Sequence, residues 1–209
     1  GGVFGTPFYN FLRVVGRLSF PIFAFLLTEG YVYTKNFGKY FFRLLVLALF
    51  SEGIYDYVFY GSFIYLGANN IFFTLALGLL TLWLLDKSKV LVKKYFKEKI
   101  DLTIILPITY LLILVIIGLI AEFLNFSYGM LGILVISFFY LFKKNFLLFV
   151  LSVSLSTLIL GDTMQYFSLL SLILIYFYNK KLGKKCKMFF YLYYPLHILV
   201  LGVIKMLIG

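Results

Sequence analysis

The sequence has very few of the residue types on which most soluble enzymes and secreted domains depend. Its 209 residues include one cysteine, Cys186, and one histidine, His197. A lone cysteine provides no disulfide framework, and these two residues do not form the clustered spacing of a metal site. The chain also lacks a glycine-rich phosphate loop and a G-x-S-x-G nucleophile motif. Soluble nucleotide-binding proteins and serine hydrolases commonly carry these motifs, so the sequence predicts neither class.

Acidic residues are scarce as well, and charged residues of both signs are few. Eight Asp and Glu stand against 19 Lys and Arg, and charged residues make up 13% of the chain. By contrast, 63% of the residues are hydrophobic and 22% are aromatic, and the mean hydropathy is +1.04. Soluble domains are about 45–50% apolar and about 25% charged. The excess of apolar residues therefore predicts lipid-facing surface and an integral membrane protein.

The basic residues alternate along the chain in a regular way. Sixteen of the 19 Lys and Arg fall in four clusters, and a connection without Lys or Arg lies between successive clusters. The clusters occupy residues 35–43, 87–99, 143–144 and 180–187. This is the positive-inside pattern of a multi-pass protein of the bacterial inner (plasma) membrane, with the basic connections in the cytoplasm. Anionic membrane lipid then accounts for the net charge of +11, and no nucleic-acid partner is predicted.

The predicted fold is all-α, a polytopic transmembrane helix bundle that forms a single domain over residues 1–209. Apolar segments of about 15–22 residues predict eight spans, because such lengths cross a ~30 Å hydrocarbon layer. These spans lie at approximately 10–33, 41–60, 69–86, 102–123, 128–142, 146–160, 163–178 and 188–208. Bacterial membrane proteins usually begin inside, so we expect one further span upstream of Gly1. The Lys-rich stretch 86–101 predicts a helix lying at the membrane surface.

Ionisable residues inside the spans are the main functional candidates, because charges in hydrocarbon are costly and usually serve a function. Helical rise places Arg17 about 10 Å from the outer end of the first span and Glu52 about 15 Å from the cytoplasmic end of the second. His197 lies at a similar distance along the last span. We expect these three side chains to meet near the midplane as a paired network. The structural alternative is an Arg17–Glu52 ion pair that only holds two helices together.

The other candidates also have structural interpretations that the sequence leaves open. Arg13 and Arg43 lie near span ends, where long side chains reach the lipid headgroups. Glu29 lies near an interface, where it would be solvated. A single histidine in an apolar helix, such as His197, is more often a packing residue than a catalyst. Asn70 opens the third span and is either a helix cap or a functional hydrogen-bond donor.

Residues 13–30, with the sequence RVVGRLSFPIFAFLLTEG, resemble the hallmark of the TraX family of polytopic bacterial membrane proteins. Further landmarks follow in order, among them Ser51-Glu52, the NIFFT stretch at 70–74 and the closing YLYYPLH at 191–197. The resemblance covers residues 10 to 200. The sequence departs from the family in two ways. The Asp-His pair that members usually carry belongs upstream of the position of Gly1, and Ser127 stands where members often have an acidic residue.

The resemblance implies an acetyltransferase. The family takes its name from a protein needed for N-terminal acetylation of F-type pilin. It is similar to a wider group of transmembrane acyltransferases that includes the lysosomal heparan-α-glucosaminide N-acetyltransferase. The implied donor is cytoplasmic acetyl-CoA. The implied acceptor is an amine or hydroxyl, at or across the membrane, on a pilin, a cell-surface glycan or a lipid-linked substrate.

This reaction class suggests roles for the candidate residues. Acyl transfer needs a base, hydrogen-bond donors for the developing oxyanion, cations for the CoA phosphates and exclusion of water. The expected catalytic residues are the base His197, the cation Arg17, its orienting partner Glu52 and the hydrogen-bond donor Asn70. The alternative is that the base is the histidine of the pair upstream of Gly1, in which case His197 has an orienting role. The expected acetyl-CoA-binding residues are Arg43, Lys39, Lys35, Glu29 and Arg13. No metal is expected.

Two other functions are compatible with the same residues. A proton-coupled transporter or lipid flippase also uses buried Arg–Glu pairs and a histidine within the membrane. However, the sequence shows neither the internal repeat nor the broken helix pair that usually marks a transport site. A non-enzymatic assembly factor for surface appendages would use the buried charges only to hold helices together. Binding of acetyl-CoA distinguishes the enzyme from both.

Overall fold

All regular secondary structure in the described residues is helical. The computed structural model of the protein describes residues 7–96, 101–179 and 187–208. The helices are α1 (Pro7–Tyr33), α2 (Phe37–Tyr60), α3 (Ile71–Phe96), α4 (Leu102–Phe123), α5 (Gly129–Leu141), α6 (Phe146–Leu160), the short 3-10 helix η1 (Gln165–Leu170), α7 (Ser171–Tyr176) and α8 (Lys187–Ile208). The predicted all-α fold is confirmed.

Side-chain caps explain where several helices begin. The Asn36 side chain accepts a hydrogen bond from the Lys39 backbone N–H at the start of α2, and Asn145 does the same for Leu148 at the start of α6. Asp101 caps α4 by accepting hydrogen bonds from the backbone N–H and the hydroxyl of Thr103. Because these bonds favour the charged carboxylate, they hold the pKa of Asp101 below its usual value.

The connections define two ends of the bundle. The lysine-rich end contains the connections at 34–36 and 142–145 and the last turns of α3, which carry Lys93 and Lys94. The lysine-free end contains the connections at 61–70, 124–128 and 161–164, which have no Lys or Arg. Within the described residues, α3 lies centrally and packs against α1, α2, α4 and α5. Helix α1 also packs against α5, η1 and α7, whereas the substantial contacts of α8 are with α2.

The core between α3 and α5 is apolar and tightly packed. Its fully buried side chains include Leu79, Leu82 and Leu85 on α3 and Ile136 and Phe139 on α5. Gly78 allows the two helices to approach closely, because a Cβ at that position would collide with the Ile136 side chain. These side chains form the apolar centre of the bundle between α3 and α5.

The outer surfaces of the helices are those of a membrane protein. Among the described helices, α3 and α4 are each long and apolar enough to cross a membrane. On α4, Leu111 is 61% exposed and Leu119 is 57% exposed. Large apolar side chains with this exposure are stable where lipid chains cover them.

Two of the predicted spans differ from the structure. The surface helix predicted after Asp86 is not separate from the third span over the described residues. Instead, α3 continues without interruption to Phe96. Residues 86–96 contain no glycine or proline that would end a helix. The predicted span 163–178 is divided into η1 and the six-residue α7. The backbone stays helical through Leu170 and Ser171, so the two elements form one run, Gln165–Tyr176, that is shorter than the predicted span.

Candidate functional site

A cavity of about 1200 Å³ lies at the lysine-free end of the bundle. Its walls come from α1, the start of α3, α8 and the connections that follow α2, α4 and α6. Much of the lining is apolar, and it includes Phe20, Leu75 and Leu131. The polar and charged side chains that reach it include Arg17, Tyr55, Ser127, Tyr128, Asp162 and His197. A large, mostly apolar cavity with a few convergent polar groups is the usual form of a ligand site.

Arg17 is the cation of this cavity. Its Nη2 lies 3.6 Å from Oδ2 of Asp162, and its positive charge lies close to the Tyr128 hydroxyl. The side chains of Arg17 and Asp162 are 30% and 62% exposed. An ion pair as open as this contributes little to stability. The guanidinium can therefore exchange Asp162 for an anionic group of a ligand at small cost.

The connection between α4 and α5 places Tyr128 beside Arg17. Tyr128 has φ 143°, and the following Gly129 has φ 42°, both in the region that L side chains rarely adopt. Its ring stacks on Phe20 with the ring centroids 3.8 Å apart. Glu122 holds the start of α5 by accepting a hydrogen bond of 2.7 Å from the Met130 backbone N–H. Unfavourable backbone conformations of this kind are frequently found at functional sites.

His197 lies on the α8 side of the cavity. Its Nδ1 is 3.1 Å from the Tyr193 carbonyl oxygen, one turn earlier in the helix. A carbonyl oxygen only accepts, so Nδ1 must carry the proton, and Nε2 of the neutral ring is then the nitrogen that can accept one. The ring stacks on Tyr193 at 5.2 Å and meets Tyr194 edge-on at 5.3 Å. These contacts fix the orientation of the imidazole.

Glu52 and Asn70 form a second polar cluster, whose hydrogen bonds connect α2 to the start of α3. Asn70 is fully buried, and its side-chain amide donates hydrogen bonds to the Glu52 carboxylate and, at 2.7 Å, to the Ala48 carbonyl. The Asn70 backbone N–H also donates to Glu52 Oε2, at 3.0 Å. Asn70 Oδ1 accepts from the Phe72 backbone N–H. Asn70 thus caps α3 and carries a structural hydrogen-bond network.

Comparison with known protein families identifies the chain. The family described as TraX protein matches residues 5–205. The chain belongs to the TraX family. A curated relative, the "Probable fimbrial assembly protein FimC, serogroup H1" of Dichelobacter nodosus, is 28% identical over 224 residues. That alignment covers 97% of this chain and 86% of the relative. No solved structure matches the chain.

The structure of this TraX-family protein brings Arg17 and His197 to one cavity, but it gives Arg17 a different partner from the one predicted. The expected Arg17–Glu52 pair is not formed, because Arg17 pairs with Asp162 and the Glu52 carboxylate binds Asn70. The reason lies in the packing. Helix α1 packs against α3, α5, η1 and α7, so Arg17 faces the α6–η1 connection and not α2.

The residues predicted to bind acetyl-CoA do not all lie at the same end. Lys35, Lys39 and Arg43 are exposed at the lysine-rich end, and Glu29 is half-buried near the end of α1. Arg13 lies 16 residues before Glu29, which corresponds to about 24 Å of helix. Arg13 therefore lies towards the lysine-free end, apart from the other four residues of that group.

Sequence reasoning missed three residues that the structure makes prominent. Tyr128 and Asp162 were not among the site residues predicted from the sequence. Asp86 was not selected, yet its carboxylate accepts hydrogen bonds from the hydroxyls of Tyr31 at 2.8 Å and Tyr140 at 2.6 Å. The one available signal was charge, since Asp86 and Asp162 are two of only eight acidic residues.

The part of the chain that the structure describes contains no candidate metal-binding site. No three His, Cys, Asp or Glu side chains lie close enough together there to hold a metal ion. The cavity therefore offers a cation, hydroxyl groups and an imidazole as its reactive groups.

Proposed function

We propose that this TraX-family protein is an integral membrane acyltransferase of the inner membrane, with its lysine-rich end in the cytoplasm. It would transfer an acetyl group from acetyl-CoA to an amine or hydroxyl of an acceptor at or across the membrane. The observation that carries the proposal is the cavity at the lysine-free end, which holds Arg17, Tyr128 and His197 together. Family membership supports it, because TraX proteins are linked to pilin acetylation.

The cavity residues can perform the two tasks that acyl transfer requires. His197 Nε2 would accept the proton of the acceptor amine or hydroxyl as that atom attacks the acetyl carbonyl carbon. Arg17 and Tyr128 would stabilise the negative charge that develops on the carbonyl oxygen. The Tyr128 hydroxyl lies close to the Arg17 charge, and its proton can be donated to the oxyanion. When the carbon–sulfur bond breaks, the thiolate leaves and the imidazolium can return the proton.

The lysine-rich end has the charges that a CoA phosphate group needs. Lys35, Lys39 and Arg43 are exposed and lie within the first two turns of α2 or just before it. Arg43 and Glu52 are nine residues apart on the same helix, or about 14 Å. The arrangement separates a donor-binding face from an acceptor cavity, as transfer across a membrane requires. The curated relative is named for fimbrial assembly, so a pilin subunit is one of the candidate acceptors.

The first test is binding of acetyl-CoA to the purified protein in lipid nanodiscs. We expect saturable binding that weakens about tenfold or more in a Lys39→Ala/Arg43→Ala variant, because two charge-assisted phosphate contacts are lost. Lys144→Ala, at another exposed lysine of the same end, is the matched control and should bind normally. A folded wild-type protein without any binding would contradict the proposal and favour a transporter, a flippase or an assembly factor.

A second test concerns the base. His197→Gln should lower the acetylation rate by about 10² or more, because an amide cannot accept the acceptor proton. Acetyl-CoA binding should be unchanged, since His197 lies at the opposite end from the donor-binding lysines. Acetylation rates and acetyl-CoA affinities measured on the same preparation check this. A rate within a few-fold of wild type would assign the base to another residue and leave His197 a packing role.

A further inference from the structure

The cavity is open on one side of the bundle. Helix α8 packs against α2, and α1 packs against α3, α5, η1 and α7. Over the described residues, α1 and α8 share no more than marginal contact with each other. The cavity lining nevertheless includes both helices, with Gly16, Ser19 and Phe23 from α1 and Tyr193, His197 and Leu201 from α8. We call this opening between α1 and α8 the lateral gap.

Each set of residues forms a single helical face. Positions 16, 19 and 23 are spaced three and four residues apart on α1, and positions 193, 197 and 201 are four apart on α8. Residues at these spacings project from the same side of a helix. The two faces border the same cavity without packing together. The lateral gap is thus a slot that runs along both helices and not only a hole at the end of the bundle.

The polarity of the lateral gap changes from the rim to the interior. At the rim, Val15 is 44% exposed, Phe23 is 41% exposed and Leu201 is 53% exposed. Arg17 and Tyr128 are less exposed than these three side chains and lie close to each other. An apolar entrance leading to a cation and a hydroxyl matches a molecule with an apolar chain and a polar end.

The rim is continuous with surface that lipid covers. Leu26 on α1 and Leu196 and Val200 on α8 are exposed on the same two helices. Exposed apolar side chains of this size on the sides of membrane helices contact acyl chains. Lipid therefore reaches the lateral gap directly from the bilayer, without crossing a polar barrier.

We infer that the lateral gap is a portal through which a lipid-class molecule enters the cavity from the plane of the membrane. Its polar end, an amine or hydroxyl, would bind among Arg17, Tyr128 and His197, and its hydrocarbon chain would pass between α1 and α8. The acceptor role of this lipid rests on the proposed acyltransferase function. Its access to the cavity rests only on the geometry of the gap.

Gly16 allows a direct test of what occupies the lateral gap. No atom of the described residues lies within 4 Å of the position of a Cβ at Gly16, so a cysteine there is accommodated. In a Cys186→Ser background, Gly16→Cys would be labelled with a thiol-reactive fluorophore and placed in nanodiscs made with brominated phosphatidylcholine. Leu119→Cys on the exposed face of α4 serves as the lipid-facing reference. Ser62→Cys in the exposed 61–70 connection serves as the aqueous reference.

The expected result is quenching of the Gly16 label by brominated lipid to an extent similar to that at Leu119, with little quenching by aqueous iodide. Strong iodide quenching, as at Ser62, would make the gap an aqueous cleft and overturn the inference. Quenching by neither agent would show that a protein segment covers the gap, which would also overturn it. The measurement does not involve acetyl-CoA, so its failure is distinguishable from failure of the proposed function.

Discussion

Arg17→Ala is expected to abolish most acetyl transfer while leaving the protein folded. The guanidinium is the cation of the cavity and lies close to the Tyr128 hydroxyl. Removing one preorganised donor from an oxyanion site typically costs about 10²–10³ in rate. The stability effect should be small, because the Arg17–Asp162 pair is 3.6 Å long and its members are 30% and 62% exposed. Exposed pairs of this kind contribute about 0–1 kcal/mol.

Comparison with Arg17→Lys separates charge from geometry. Lysine keeps the positive charge but presents one ammonium group, so it cannot reproduce the planar donor fork of the guanidinium. We expect Arg17→Lys to recover part of the lost rate and Arg17→Ala none. Lys89→Ala, at an exposed lysine of α3, is the control for loss of a positive charge. Acetylation rates near wild type in Arg17→Ala, with normal thermal stability, would remove Arg17 from the mechanism.

The positions of several helices could be predicted from local sequence alone. Helix α4 has the bounds predicted for the fourth span, 102–123, and α6 has those predicted for the sixth, 146–160. Both helices are limited by local signals, such as the Asn145 cap before α6 and Gly161 after it. Helix α3 differs because hydropathy reports where a segment leaves the apolar layer. It does not report where the hydrogen-bonded helix ends, and α3 continues through its lysines to Phe96.

The site was only partly predictable for a related reason. The rarity of charged residues in spans was enough to select Arg17, Glu52 and His197 as candidates. Which of them meet depends on the order in which helices pack, and successive helices need not be neighbours. Helix α1 packs on η1, so a carboxylate distant in sequence, Asp162, lies beside Arg17. The role of Tyr128 likewise depends on a backbone conformation, φ 143°, that its sequence does not reveal.

The largest effect on stability is expected from Asn70→Ala. The Asn70 side chain is fully buried and makes hydrogen bonds to the Glu52 carboxylate, the Ala48 carbonyl and the Phe72 backbone N–H. Glu52 Oε1 is already buried without a hydrogen-bond partner among the described residues. Deleting the amide leaves a second carboxylate oxygen with fewer donors, and unsatisfied buried polar groups cost about 1–3 kcal/mol each, more when charged. We expect a loss of about 3 kcal/mol or more.

Asn69→Ala is the matched control, one residue away. The Asn69 amide donates to the Leu124 carbonyl at the more exposed mouth of the same connection, so its loss should cost about 1 kcal/mol. Asn70→Ala in a Glu52→Gln background should lower the free energy of unfolding less than it does in the wild type, because the side chain at position 52 then carries no charge. Thermal unfolding in nanodiscs measures all three differences.

Equal destabilisation by Asn70→Ala and Asn69→Ala would mean that the Glu52–Asn70 contact does not stabilise the packing of α2 against α3. An undiminished effect in the Glu52→Gln background would mean that Asn70 acts through its cap on α3 alone.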